Sequence, residues 1–181
     1  MQTKIWIVSA ALVAMWVSWG SKAVAFQQDF PSSEPGYSVS FIVNDAPGSR
    51  SACVVKVSRG LPTLALAFNI FSDNDITITA FWTNKIPNIQ IGKNATIRIN
   101  DNFLLGKIID VINAPPYHTI AVRLTDSNPA LSAMSGITDI IFKQSRIDVS
   151  ADGKALPGVT IPPAPSLNAA ILACMQFKDA R

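Results

Sequence analysis

The chain has one histidine (His118), one glutamate (Glu34) and two cysteines (Cys53 and Cys174) in 181 residues. These scarcities exclude several chemistries. A zinc site needs a second cysteine or a histidine a few residues from the first, and neither cysteine has one. The acidic run Asp73-Asn74-Asp75 lacks the glycine and the distal bidentate glutamate of an EF-hand loop, so it reads as a turn. There is no G-x-S-x-G elbow and no glycine-rich phosphate loop. No Lys/Arg run could track a phosphate backbone, so nucleic acid is not an expected partner. Asn94-Ala95-Thr96 is a glycosylation sequon only if a eukaryote makes the protein.

His118 lies in "PPYHTI", just after a Pro-Pro kink. A general base needs a positioned partner. Asp110 and Asp126 are of the right type, but no spacing brings them to it, and a surface or strand-end histidine is expected. The twelve acids are scattered in or beside turns. Asp139 and Asp148 flank one strand in ordinary solubilising positions, and no two acids are marked out as the carboxyl pair of a glycosidase. The expectation is no enzyme, no cofactor and no metal.

The N-terminus, "MQTKIWIVSAALVAMWVSWGSKAVAF", carries the early cation Lys4 and an apolar run from Ile5 to about Trp19. That run of about 15 residues falls short of the ~20 needed for a membrane helix. Ala23-Val24-Ala25 places small residues where a signal peptidase requires them, so residues 1–25 read as a signal peptide cut between Ala25 and Phe26. The alternative is an uncleaved anchor, and membrane contact is expected only through this segment. Cleavage leaves 156 residues (181 less 25), one domain's worth. Lys4 and Lys22 depart, so the formal charge falls from +3 to +1. Part of the sequence pI of about 9.0 therefore belongs to the leader.

Two cysteines in an exported chain favour a Cys53–Cys174 disulfide and an oxidising compartment, periplasmic or secreted. The alternative is two separate buried thiols. Cys174 lies in "PSLNAAILACMQF", where Leu167, Ala170, Ile171, Cys174 and Phe177 recur at helical spacing. Ser166 is a candidate N-cap after a proline-rich segment. The cysteine therefore faces the body of the domain from a helix near 166–177.

The middle of the chain alternates apolar and polar residues with period two around 64–71, 76–83, 96–100, 119–125 and 146–149, with turn signals between. "YSVSFIV" and "CVVKV" read as a first hairpin turning through Asp45-Ala46-Pro47-Gly48. Ser127 or Asn128 caps a short helix near 128–135, with Pro129 at its start and Gly136 as its stop. The fold class is mainly β: an antiparallel sandwich or partly open barrel over 37–177, preceded by an irregular arm at 26–36.

"AVRLTDSNPALSAM", "DIIFKQSRIDVSADGKAL" and "SLNAAILAC", with "KNATIRIND" before them, resemble the C-terminal half of small exported bacterial proteins of the invasion-associated locus B type, over roughly residues 90–175. The shared features are a short helix, a strand, a G-K turn and a terminal helix. The resemblance implies an exported β-rich domain and supplies no catalytic residues.

The expected function is that of a non-catalytic cell-envelope protein acting through a protein partner. Phe71 and Phe81, on the nominal outer strand face, are candidates for a docking patch, unless both faces of the sheet are covered. A carrier of small apolar ligands would instead need a large apolar cavity in a barrel interior. A hydrolase of unfamiliar type would need a cleft converging on His118.

Overall fold

The computed structural model describes residues 24–44, 50–61, 63–71 and 75–179. Most of the expected signal peptide, the first hairpin's turn at 45–49 and most of the 72–75 turn lie outside the described residues.

Ten strands form one continuous antiparallel sheet. They are β1 (Val24–Phe30), β2 (Tyr37–Asn44), β3 (Ala52–Val57), β4 (Ala65–Phe71), β5 (Ile76–Trp82), β6 (Asn94–Ile99), β7 (Asn102–Ala114), β8 (Tyr117–Leu124), β9 (Ser145–Ala151) and β10 (Lys154–Ile161). Their spatial order is β1-β2-β3-β4-β5-β8-β7-β6-β9-β10, which leaves β1 and β10 as open edges. Helix α1 (Pro129–Phe142) lies between β8 and β9, and α2 (Ser166–Asp179) ends the described chain. The fold is therefore mainly antiparallel β with two helices, the second C-terminal. It is a single open sheet, with no second sheet stacked on it among the described residues.

The β10 end of the sheet is reached across the core from β5 and from β2. Trp82 Nε1 on β5 donates to the Pro157 carbonyl on β10 at 2.9 Å, and the Tyr37 hydroxyl on β2 donates to the Pro162 carbonyl at 3.1 Å. The inward residues of β4 and β5 (Leu66, Phe68, Ile70, Ile76, Ile78 and Trp82) join both helices in the main apolar cluster.

The turn residues fit their sites. Ile99 pairs with Asn102 around Asn100, whose φ is +53°, and Ala151 pairs with Lys154 around Asp152 (+52°) and Gly153 (+72°). Asn, Asp and Gly tolerate this left-handed backbone best, and it matches the strand twist of a tight hairpin.

Three local expectations are corrected. The arm at 26–36 begins as strand β1, which pairs with β2 from Phe26↔Val43 to Phe30↔Val39. An edge strand needs a partner on one side only, and two phenylalanines anchor this one: Phe26 and Phe30 both meet Phe177 of α2, at 6.1 and 5.9 Å between ring centroids. Pro31 follows the strand directly.

Helix α1 does not stop at Gly136 but runs on to Phe142. Gly136 faces β6, where a Cβ would sit 2.9 Å from Ile99 Cδ1, so the glycine permits close packing rather than ending the helix. Asn128 is the cap; its Oδ1 accepts the Leu131 N–H at 3.1 Å.

Ser166 opens α2 as its first residue, and the carboxylate at the helix start comes from far away in sequence. Glu34 Oε1 accepts the Ser166 N–H at 3.1 Å, while Ser166 Oγ accepts the Ser33 N–H at 3.2 Å and bonds Ser32 Oγ at 2.9 Å. An anion at this end also suits the helix dipole.

The disulfide is present. Cys53 on β3 joins Cys174 on α2 with the Cα atoms 6.0 Å apart, closing a separation of 121 residues. Leu167, Ala170, Ile171 and Cys174 are all buried along the stripe expected of that helix.

Candidate functional site

The two faces of the sheet differ, and the outer one differs along its length. Near β2 to β5, a second apolar cluster contains Ile42, Val54, Ala65, Ala67 and Phe81, and the helices contribute only to the first cluster. Here the outward residues of β4 and β5 are small (Ala65, Ala67, Thr77 and Thr79), and both strands are buried on both faces. Phe71 and Phe81 share this face but sit at opposite ends of it. Phe81 lies opposite Ala65 and Phe71 opposite Ala52. Phe81 is buried. Phe71 is half-buried under the Arg50 guanidinium, 4.2 Å above its ring. Arg50 in turn bonds Asp75 at 2.9 Å.

The outer face of β7 is open. Phe103, Leu105 and Ile109 are 58%, 48% and 36% exposed, whereas Leu104, Gly106 and Ile108, which alternate with them, are buried. Ile91, 62% exposed, stands beside them because its turn is tied to β7: Gly92 N–H donates to the Ile108 carbonyl and Ile108 N–H to the Lys93 carbonyl, at 2.8 and 2.9 Å. Cations flank the stripe, and one, Lys107, interrupts it between Leu105 and Ile109. Arg98 is the cross-strand neighbour of Phe103, and Lys107 lies between Asn94 and Arg123. Asp148 bonds both Arg98 and Arg146 at 2.8 Å. Burial opposes ionisation of Asp148, but these two arginines outweigh it and hold its carboxyl below the ordinary range. Sequence reasoning passed over this stripe because β7 was not recognised as a strand. The usable signal was "NFLLGKII", apolar at both parities with a lysine in the outward set.

A cleft of about 350 Å³ opens beside β1, β2 and β3, lined by Gln27, Asp29, Ser38, Ser40, Lys56 and Ser58 among others. Asp29 Oδ1 accepts from Ser40 Oγ at 2.7 Å and from Gln27 Nε2 at 2.8 Å. Burial lowers the pKa of Lys56, and the nearby Asp29 charge opposes that shift. Phe30, Tyr37 and Val39 also line the cleft, so its wall is part polar and part apolar, and it could hold a small hydrogen-bonding solute. It is unlike the apolar cavity of a carrier, and the interior beneath the sheet is filled by buried Ile97, Ile99, Leu104, Ile108 and Ile120.

His118 begins the inward row of β8, opposite Trp82, and is 7% exposed. It is therefore a buried strand-end histidine and not a surface one. Its Nδ1 bonds the Asn113 side-chain oxygen, an amide rather than a carboxylate. Asp110 and Asp126 are not brought to it. Asp110 accepts the Val111 N–H at 2.7 Å, and Asp126 follows the far end of β8.

Asp139, read from the sequence as a surface acid, is buried and joins α1 to the β6–β7 turn. It accepts from Asn102 and Asn100 at 3.0 and 3.2 Å and from Lys143 at 2.7 Å. The Lys143 hydrogen bond, helped by those from Asn100 and Asn102, lowers its pKa against the effect of burial. Among the described residues, no group of three His, Cys, Asp or Glu side chains could hold a metal ion.

No family model, curated protein or solved structure matches this chain.

Proposed function

We propose that this is an exported cell-envelope protein that works without catalysis, by docking a protein partner on the outer face of its sheet. The exposed stripe Phe103, Leu105, Ile109 and Ile91 carries this reading. Large apolar side chains grouped in exposure on one strand of a folded domain suit a contact site. The disulfide supports an oxidising compartment. The packed interior favours docking over carriage of an apolar ligand.

The test is chemical cross-linking in intact producing cells, followed by non-reducing electrophoresis. Wild type and His118→Ala should both give the same discrete heavier species. Absence of that species from wild type would overturn the docking reading.

A further inference from the structure

We infer that the cleft beside β1, β2 and β3 binds a small amphoteric molecule, an amino acid or a like compound that carries an ammonium and a carboxylate on a short aliphatic stem. The cleft is separate from the exposed stripe on β7, and this inference does not rest on the docking reading.

Strand register builds the site. Asp29 on β1 stands opposite Ser40 on β2, and Lys56 on β3 stands opposite Ser38. Cross-strand partners share a face, and Ser38 and Ser40 are two residues apart, so all four side chains leave the same side of the sheet. A carboxylate therefore stands on one side of the cleft and an ammonium on the other, with two hydroxyls between them. Among the described residues, these are the two charged groups that line it; neither Glu34 nor Arg59 does. No ion pair within 4.0 Å joins Asp29 to Lys56, so the two charges are held apart across the opening.

The wall selects the ligand. Asp29 Oδ1 accepts from Ser40 Oγ at 2.7 Å and from Gln27 Nε2 at 2.8 Å, which fixes the carboxylate and leaves Oδ2 to accept from a ligand ammonium. Burial disfavours the Lys56 ammonium more than the Asp29 charge supports it, and a ligand carboxylate would offset the remainder. Phe30, Tyr37 and Val39 add apolar surface for the stem. A simple anion would be repelled by Asp29 and a simple cation by Lys56, whereas a molecule bearing both charges meets an attractive partner at each end. The volume of about 350 Å³ lies at the small end of ligand sites, which suits a compound of this size.

The experiment is isothermal titration calorimetry on the full, oxidised protein as its cells produce it. The probes are glycine, γ-aminobutyrate and ε-aminocaproate, zwitterions of increasing charge separation, with butyrate and butylammonium as the simple ions. At least one zwitterion should bind saturably, and at least tenfold more tightly than either simple ion. Lys56→Met and Asp29→Asn should each weaken that binding at least tenfold, with melting temperatures close to that of wild type. No saturable binding of any zwitterion up to about 10 mM overturns the inference. So does a simple ion that binds as well as the zwitterions, or binding that survives both substitutions. The comparison of probes on wild type decides the matter by itself if either variant fails to fold.

Discussion

Replacing Cys174 with alanine should cost most of what the disulfide contributes, and it should do so only while the wild-type bond is intact. The bond closes a separation of 121 residues, from β3 to the terminal helix. In the chain-entropy description, a loop of that length removes about 5 kcal/mol of denatured-state freedom, and measured losses run about 2–5 kcal/mol. Other contacts also hold α2 to the sheet: the Glu34 carboxylate at its start and the Phe177 ring against Phe26, Phe30 and Phe41 near its end. The helix should therefore stay docked in the variant, and the cost should appear as a lower midpoint rather than a lost fold. A loss of about 3 kcal/mol corresponds to roughly 6–12 °C in a domain of this size. The assay is thermal and urea unfolding of wild type and Cys174→Ala, each with and without reductant. Wild type should fall to the variant's midpoint on reduction, and the variant should not respond. A reductant-insensitive wild type, or a variant lowered as far again by reductant, would show that packing at Cys174 and not the covalent link is what matters.

Other perturbations address the remaining joints. Glu34→Ala removes the distant carboxylate from the start of α2 and should cost about 1 kcal/mol, measured by urea unfolding. Asp139→Ala leaves Asn100 and Asn102 without their acceptor and should cost on the order of 1–3 kcal/mol at neutral pH. The Asp139 pKa is lowered in the folded state, so its contribution is full above the ordinary carboxylate value of about 4 and disappears as pH falls through the lowered one. The acid limb of stability should accordingly flatten in the variant, and an unchanged limb in a pH series would refute that role. Gly106→Ala drives a Cβ to 2.4 Å from the Arg123 carbonyl and 2.6 Å from Val122. It should lower stability by about 1–3 kcal/mol or prevent folding, read from the melting temperature and soluble yield.

Strands with one clear apolar parity were legible in the sequence, as were hairpin turns with Asn, Asp or Gly at the left-handed positions. The hairpin through Asp152-Gly153 and the α2 stripe ending in Cys174 are of this kind, because local backbone preference and side-chain pattern agree there. β7 was not legible. Its residues are apolar at both parities, with Gly106 in the middle, since one parity fills the core and the other faces outward. β1 was hidden because its polar Gln27-Gln28-Asp29 stretch suits an edge strand paired on one side. The Gly136 stop failed because close approach of Ile99 requires a glycine within the helix. The candidate site was the least legible part. Phe71 and Phe81 share a face, but their burial depends on what surrounds them, and the exposed stripe lies four strands away from β3 across the sheet order, on β7. Glu34 reaching Ser166 and Asp139 reaching the β6–β7 turn are contacts between distant segments, which local patterns do not encode.

The intact mass of the protein purified from its producing cells, under non-reducing conditions, bears most directly on the claim that the chain is exported and then tethered. The expected species begins at Phe26 and lacks the two thiol hydrogens of Cys53 and Cys174. A chain that retains Met1 and carries both thiols would contradict export and oxidation together.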